Sequence, residues 1–247
     1  FVKMGLEMQP KHFSVNAEVA QAIENAEVVI YQSHWAKKQL DSYIQARSGD
    51  FEIIHNGVDL RRFSPGSASV SNIPVLGTVG LFRYKYRLET FFQLSRRLNF
   101  KHQLLIVGSV DSEAGKILAQ YQTDPLIGPR ILYQSYISPD KLVEYYRRMS
   151  LLVHPVSGDA CPNVVVEALA CGVPVVAPKF GGSAEIIGTG GRCFTAEPWV
   201  YDLKFVGAME VAVREVLQEQ KSFSEKARLQ AEINLDITKM TRAYLAA

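Results

Sequence analysis

Several chemistries that are easily recognised in a sequence are missing here. Only three cysteines occur, Cys161, Cys171 and Cys193, an odd number with no Cys-x-x-Cys pair. They lie within or near apolar runs, where a thiol reads as a small buried hydrophobe. No Asn-x-Ser/Thr acceptor is present, so the pattern predicts a reducing, cytoplasmic setting. Five histidines (His12, His34, His55, His102, His154) are scattered without metal-ligand spacing. No Gly-x-Gly-x-x-Gly exists, and Gly115-Lys116 runs on into Ile117 without the upstream glycine of a phosphate loop. Gly181-Gly-Ser-Ala-Glu185 fails the nucleophile-elbow pattern at its last position. These gaps weigh against zinc, hydride-transfer, ATPase and esterase chemistry.

Charge of one sign is also lacking. Lys plus Arg number 27 against 25 Asp plus Glu, a net of +2, which gives no case for a nucleic-acid partner. Apolar runs such as Val173–Ala177 stop far short of the roughly 20 residues of a membrane span. The pairs Arg96-Arg97 and Arg147-Arg148 read as surface charge, with peripheral contact to anionic lipid at the cytoplasmic membrane face left open. The chain begins at Phe1 without a signal-peptide pattern and reads as a piece of a longer protein.

What is present is alternation. Short apolar runs rich in β-branched residues take turns with helical patterns, the mark of βαβ units on a parallel sheet. Helices are expected at Val15–Asn25 and Trp35–Gln45, with strands at Val28–Tyr31 and Phe51–His55. A polar stretch from Asp59 to Asn72, rich in Ser and holding Pro65 and Gly66, reads as an interdomain linker. Six further strands follow at Val75–Val79, Gln103–Val107, Ile131–Tyr133, Leu151–His154, Val173–Ala177 and Arg192–Thr195. Ser138-Pro139 and Pro162 mark helix starts, Gly172 a helix end, and Ser222-Phe-Ser-Glu225 a capping box. Phe205, Met209, Val213, Val216 and Leu217 give a late helix one apolar face.

The fold class is therefore α/β: a doubly wound, Rossmann-like parallel sheet with a partial second α/β domain before it. Residues 1–66 are read as the end of that first domain, 67–72 as the linker, 73–235 as the complete domain and 236–247 as a C-terminal helix. In such sheets ligands bind beyond the carboxyl ends of the strands.

The loop most worth inspecting there follows the strand ending at His154. It carries Asp159, and the helix opened by Pro162 carries Glu167 eight residues later. Both acids, with the N–H groups of Cys161 and Asn163 expected to be free, fall near one helix N-terminus. A carboxylate accepts two hydroxyl hydrogen bonds at once, which suits the vicinal diol of a ribose or hexose. The plainer readings are a capping or turn role for Asp159 and a solvated helix position for Glu167. Asn56-Gly57 likewise needs nothing beyond a tight turn.

The same segment resembles the E-x7-E region of the retaining glycosyltransferases of family 4, the glycosyl transferases group 1, which have the GT-B fold. Three more motifs resemble that family in the same order. They are Ala26-Glu-Val-Val-Ile-Tyr-Gln-Ser33, then Ile54-His-Asn-Gly-Val-Asp59 with Phe63 and Pro65, then Val173-Pro-Val-Val-Ala177 with Gly181-Gly-Ser-Ala-Glu-Ile-Ile187. The resemblance implies a nucleotide-diphosphate sugar as donor and an enzyme that transfers its hexose with retained configuration, without a metal or other cofactor. Glu167 would take the ribose hydroxyls and Asp159, in place of the usual Glu, the donor hexose. The backbone at Ala160 and Cys161, with Asn163 and Val164 at the helix start, would line the sugar and phosphates. Positive charge for the leaving diphosphate would come from the stretch after Gly80, where Arg83 and Lys85 come first and Arg87 third. Leu81 stands where that family usually has Arg. The acceptor, a sugar, a lipid-linked molecule or another class, would be chosen mostly by the N-terminal domain. A binding module without turnover, or a GT-B epimerase or phosphorylase, is the competing reading.

Overall fold

Strand β3 (Val75–Val79) lies in the middle of a sheet whose neighbours come from distant parts of the chain. The computed structural model describes residues 10–66, 73–83, 85–195 and 205–247. The six-stranded sheet adds β4 (Gln103–Val107), β5 (Ile131–Gln134), β6 (Leu151–Val153), β7 (Val175–Pro178) and β8 (Gly191–Phe194) in the order β5-β4-β3-β6-β7-β8. Every pairing is parallel. The chain thus winds outward from β3 to one edge, returns, and winds outward from β6 to the other. That reversal makes a topological switch point between the carboxyl ends of β3 and β6.

Alternation along the strands builds two cores. Leu104 and Ile106 point to one face with Leu76, Phe91, Phe92, Leu151, Val153 and Val213. Leu105 and Val107 point to the other with Leu152, Val165, Leu169, Val175 and Ile186. Helices α3 (Lys85–Arg97), α4 (Ser112–Gln122) and α8 (Phe205–Gln218) bury residues on the first face. Helices α5 (Pro139–Tyr146), α6 (Asn163–Ala170), α7 (Ser183–Ile187) and α9 (Gln220–Asn234) do so on the second.

Before the large sheet, α1 (Pro10–Asn25), β1 (Val29–Tyr31), α2 (His34–Tyr43) and β2 (Phe51–Ile53) form a small unit with β1 and β2 parallel. Helix α10 (Ile237–Ala246) returns to this unit. Val58 N–H donates to Leu235 O at 2.9 Å, and Ile237 N–H donates to Val58 O at 3.1 Å.

Two expectations need correction. The Ser222–Glu225 capping box is not used, because α9 starts at Gln220 directly after α8 and Ser222 lies inside it. The polar stretch is not slack where it is described. Phe63 is buried in the core, its N–H donates to Asp59 O at 2.8 Å, and Arg228 Nη1 donates to its carbonyl at 2.9 Å. The expected linker at 67–72 lies outside the described residues. The arginine pairs are exposed, as expected of surface charge, and three of the four make ionic or hydrogen-bonded contacts within the protein. Arg147 donates to Ser64 O and Oγ at 2.8 and 2.9 Å, Arg97 pairs with Glu210 at 2.6 Å, and Arg96 pairs with Asp124.

Candidate functional site

The switch point is framed by two turns. Gly80, after β3, has φ +148, and a Cβ on it would meet no atom within 4 Å. The backbone there faces open space, the condition for close approach of a ligand to the main chain. The second turn runs from His154 through Asp159 to Pro162, the N-cap of α6.

Gly181 and Gly182 lock that second turn in place. Gly182 N–H donates to Asp159 O at 2.8 Å, and Gly158 N–H donates to Phe180 O at 2.9 Å. A Cβ on Gly182 would sit 1.8 Å from Ala160 O, and one on Gly181 would sit 3.1 Å from Asp159 O. The double glycine is therefore a backbone-on-backbone packing device for the acidic loop.

Asp159 is half-buried, and its Oδ1 accepts from Cys161 N–H at 3.2 Å. Burial raises its pKa, while the Cys161 N–H and the charge of Arg87 pull it back. The Cys161 N–H is thus occupied and not free as the sequence implied. The Cys161 carbonyl and the Asn163 Oδ1 are occupied too, both accepting from Asn56 Nδ2, at 3.0 and 2.8 Å. Asn56 N–H also donates to Cys161 Sγ at 3.2 Å. The Asn56-Gly57 element is more than a turn: it ties the first unit to the start of α6. Val164 is half-buried on that first turn of α6, and Ala160 is half-buried beside the double glycine.

Glu167 sits in a different environment. Its Oε2 accepts from Tyr146 Oη at 2.7 Å. Burial raises its pKa, opposed by that hydrogen bond and by the charge of Arg62. Arg62 is paired with Asp140 at 3.0 Å and lies over the Phe63 ring at 5.4 Å. The two acids thus answer to different cations, Asp159 to Arg87 and Glu167 to Arg62.

Among the described residues Arg87, placed third by the sequence, is a cation whose charge bears on the acidic loop. Its charge bears on Asp159 and also on His154, and its Nη1 donates to Leu81 O at 3.3 Å. Arg83 is exposed, and Lys85 opens α3, with its side chain outside the described residues. His154 is buried at the end of β6, and burial together with Arg87 pushes its pKa down to about 3. This imidazole is neutral at any working pH.

Tyr146, Arg62 and Glu185 were missed. No local pattern links Tyr146 to an acid 21 residues later. Glu185 stood in a quoted motif, but its contact is 150 residues away, at Trp35 N–H. All three cysteines are free thiols, with Cys161 and Cys171 buried and Cys193 half-buried, and burial pushes Cys161 and Cys171 up to about 11 and about 12. Among the described residues no group of three or more His, Cys, Asp or Glu is placed to hold a metal ion. No helix among them is long and apolar enough to cross a membrane.

Comparison with known proteins bears on the family and the fold. The family described as "Glycosyl transferases group 1" matches residues 73–219, more than half of the chain. The D-inositol 3-phosphate glycosyltransferase of Mycolicibacterium smegmatis is 29% identical over 184 residues, 69% of this chain and 42% of that protein. The GDP-mannose-dependent alpha-mannosyltransferase of Corynebacterium glutamicum is 29% identical over 150 residues, 56% of this chain and 34% of that protein. The chain spans less than half the length of these relatives. In fold it is similar to the sucrose-phosphate synthase of Thermosynechococcus elongatus, with TM-score 0.79 and 20% identity over 99% of this chain and 65% of that one. It is also similar to HepE of Anabaena in a complex with UDP, with TM-score 0.79 and 21% identity over 97% and 69% of the two chains.

Proposed function

We propose that this chain, which belongs to the glycosyl transferases group 1 family, carries the donor-binding half of a retaining, family 4 hexosyltransferase. The donor is a nucleotide-diphosphate sugar. The observation that carries this reading is the separation of the two acids around the switch point. Asp159 lies on the Arg87 side, and Glu167 lies on the Tyr146 and Arg62 side. Such a layout fits a ligand with a cis-diol at one end, a diphosphate between, and a second sugar at the other. The names of the relatives point the same way, one a GDP-mannose-dependent transferase, and the solved HepE complexes hold UDP and UDP-glucose.

In this reading Glu167 accepts from the ribose hydroxyls and Asp159 accepts from the donor hexose. Arg87, with Arg83 and Lys85 nearby, offsets the charge that develops on the leaving diphosphate. The bond from the anomeric carbon to the phosphate oxygen breaks as the acceptor oxygen bonds to the same face. The acceptor proton passes to the leaving phosphate. Gly80 and the start of α6 (Ala160, Cys161, Asn163, Val164) present backbone to the phosphates and sugar. In this reading residues 73–235 are the donor domain and 1–66 part of the acceptor-side domain, with 67–72 as the linker and 236–247 as a C-terminal helix. A setting on the cytoplasmic side, with peripheral membrane contact by the whole protein, fits donors of this class.

A second reading is binding without turnover by this chain alone, favoured by its spanning only 42% of the Mycolicibacterium relative. Both readings are tested by thermal shift with UDP, GDP and ADP, followed by assay of donor hydrolysis and transfer. Stabilisation by at least one diphosphate that is lost in Glu167→Ala supports the donor site. No stabilisation by any of them sinks it, and measurable turnover sinks the second reading.

A further inference from the structure

A carboxylate that is to hold a diol must stay ionised and must not rotate, and burial works against the first. Glu167 is set within reach of three titratable or charged groups from three different elements. Tyr146, at the end of α5, donates its hydroxyl to Oε2 at 2.7 Å. Arg62, after β2, acts on Glu167 as a positive charge and is itself held by Asp140 at 3.0 Å. Cys171, the C-cap residue of α6, is a thiol that burial keeps protonated, so it adds no charge.

Tyr146 is unusual among these because it has no freedom. Its side chain is fully buried, with 0% exposure, and its ring packs on Phe63 at 6.3 Å between centroids. The hydroxyl sits at a position set by the core, so the hydrogen bond fixes the carboxylate plane and not the reverse. A carboxylate has about four lone-pair sites on its two oxygens. Tyr146 takes one of those on Oε2, which leaves both on Oε1 and the second on Oε2.

We propose that Tyr146 is a positioning residue for the nucleotide. It orients the Glu167 carboxylate so that Oε1 and the remaining site on Oε2 meet the two ribose hydroxyls together. This rests on the donor-site reading above and deepens it, since it makes recognition of the ribose diol depend on a residue that never touches the ligand. A merely structural tyrosine would change stability alone. A positioning tyrosine changes ribose discrimination and the pH profile of binding.

The test is calorimetric titration of the full chain with UDP, GDP and 2′-deoxy-UDP between about pH 5 and 8, for wild type, Tyr146→Phe and Glu167→Gln. Carboxyl-13C NMR of Glu167 is recorded alongside. Tyr146→Phe should weaken UDP or GDP on the order of tenfold, as expected for a lost hydrogen bond to a charged group. It should also shrink the preference for UDP over 2′-deoxy-UDP and move the Glu167 titration to higher pH. Glu167→Gln should bind weakly and lose the part of the wild-type pH dependence that follows the Glu167 carboxyl, leaving only that of the diphosphate itself. A Tyr146→Phe chain with wild-type affinity, ribose preference and Glu167 titration overturns the role of Tyr146 alone. A wild-type chain that binds none of the three nucleotides overturns the donor site and this role with it. Should Tyr146→Phe fail to fold, the Tyr146 hydroxyl proton is followed by NMR in the wild-type chain. It must persist when UDP is added, and its loss on binding overturns the proposal.

Discussion

The carboxylate of Glu185 accepts the backbone N–H of Trp35 at 2.8 Å through one oxygen and that of His34 at 2.9 Å through the other. A residue of α7, in the large-sheet unit, thus caps α2 in the small one. Ser33 completes the cap by accepting Ala36 N–H at 3.1 Å. Trp35 then meets Phe180 edge-on, with ring centroids 5.3 Å apart. The Gly181-Gly182 turn, which holds the acidic loop from the other side, lies between Phe180 and Glu185. One short segment thus contributes both to the junction of the two units and to the shape of the acidic loop.

Removing that cap has a definite expected cost. Glu185→Ala leaves two helix-terminal N–H groups without their charged acceptor, and each such bond contributes about 1.5–3 kcal/mol. With water replacing part of the loss, a net destabilisation of about 2 kcal/mol is expected. Hydrogen exchange should localise it to the first turn of α2. A uniform increase in exchange across the large sheet, with α2 unchanged, would contradict the assignment.

Gly182→Ala is expected to be far worse than its size implies. The added Cβ would lie 1.8 Å from the Ala160 carbonyl oxygen and 2.8 Å from Ser33 Oγ. Because the nearer atom belongs to the main chain, relief requires the acidic loop to move. Diphosphate affinity should therefore fall together with the melting temperature. Gly57→Ala disturbs the other junction: its Cβ would lie 2.8 Å from Ile237 Cα, so α10 should detach. Because the neighbouring Asn56 holds the start of α6, the affinity should fall as well, though less than in Gly182→Ala. A Gly182→Ala protein that keeps wild-type affinity would show the loop to be more pliable than its hydrogen bonds imply.

Those two glycines mark where sequence reasoning reached and where it stopped. The strands were legible because runs such as Leu104-Leu-Ile-Val107 are buried on both faces, and α6 because Pro162 and Gly172 bracket it. Asp159 and Glu167 drew attention through their spacing and the resemblance of their segment, and they lie before and within α6 as that reading placed them. Arg87 was ranked below Arg83 and Lys85, because charge alone does not say which way a side chain at a helix start will point. Asn56-Gly57 looked like a turn, whereas Gly57 has no positive φ and is needed for the close approach of α10. Tyr146, Arg62 and Glu185 act across distances in sequence that no local pattern spans.

His154 gives a prediction about acid stability. Its folded pKa of about 3 lies below the unfolded 6.5, so between those values the unfolded chain binds the extra proton. Stability from this group is present above pH 6.5 and is lost as the pH falls toward 3. At about 1.4 kcal/mol per unit, the full loss is on the order of 5 kcal/mol. Asp159 and Glu167 have the opposite sign, since their folded pKa values are raised: their burial is relieved as the pH falls through those values. His154→Leu should leave stability near neutral pH little changed and flatten the decline below pH 6.5, as read by denaturant midpoints. Equal slopes in both proteins would rule out His154 as the origin.

The final prediction separates the arginines. Arg87 is the charge felt by both His154 and Asp159, whereas Arg83 is exposed after the Gly80 turn. Arg87 is half-buried and Arg83 exposed, so a diphosphate at the switch point would be less screened by solvent at Arg87 than at Arg83. Arg87→Met, which keeps much of the aliphatic stem, should weaken UDP and GDP by about 10- to 100-fold, the range for a lost charge-assisted contact. It should also flatten the salt dependence of binding and let the His154 pKa rise as the repelling charge is removed. Arg83→Ala should cost only a few-fold, since an exposed charge is screened. Calorimetry at two ionic strengths, with imidazole NMR for His154, reads all three effects. A larger affinity loss in Arg83→Ala than in Arg87→Met would place the diphosphate farther out along the Gly80 turn.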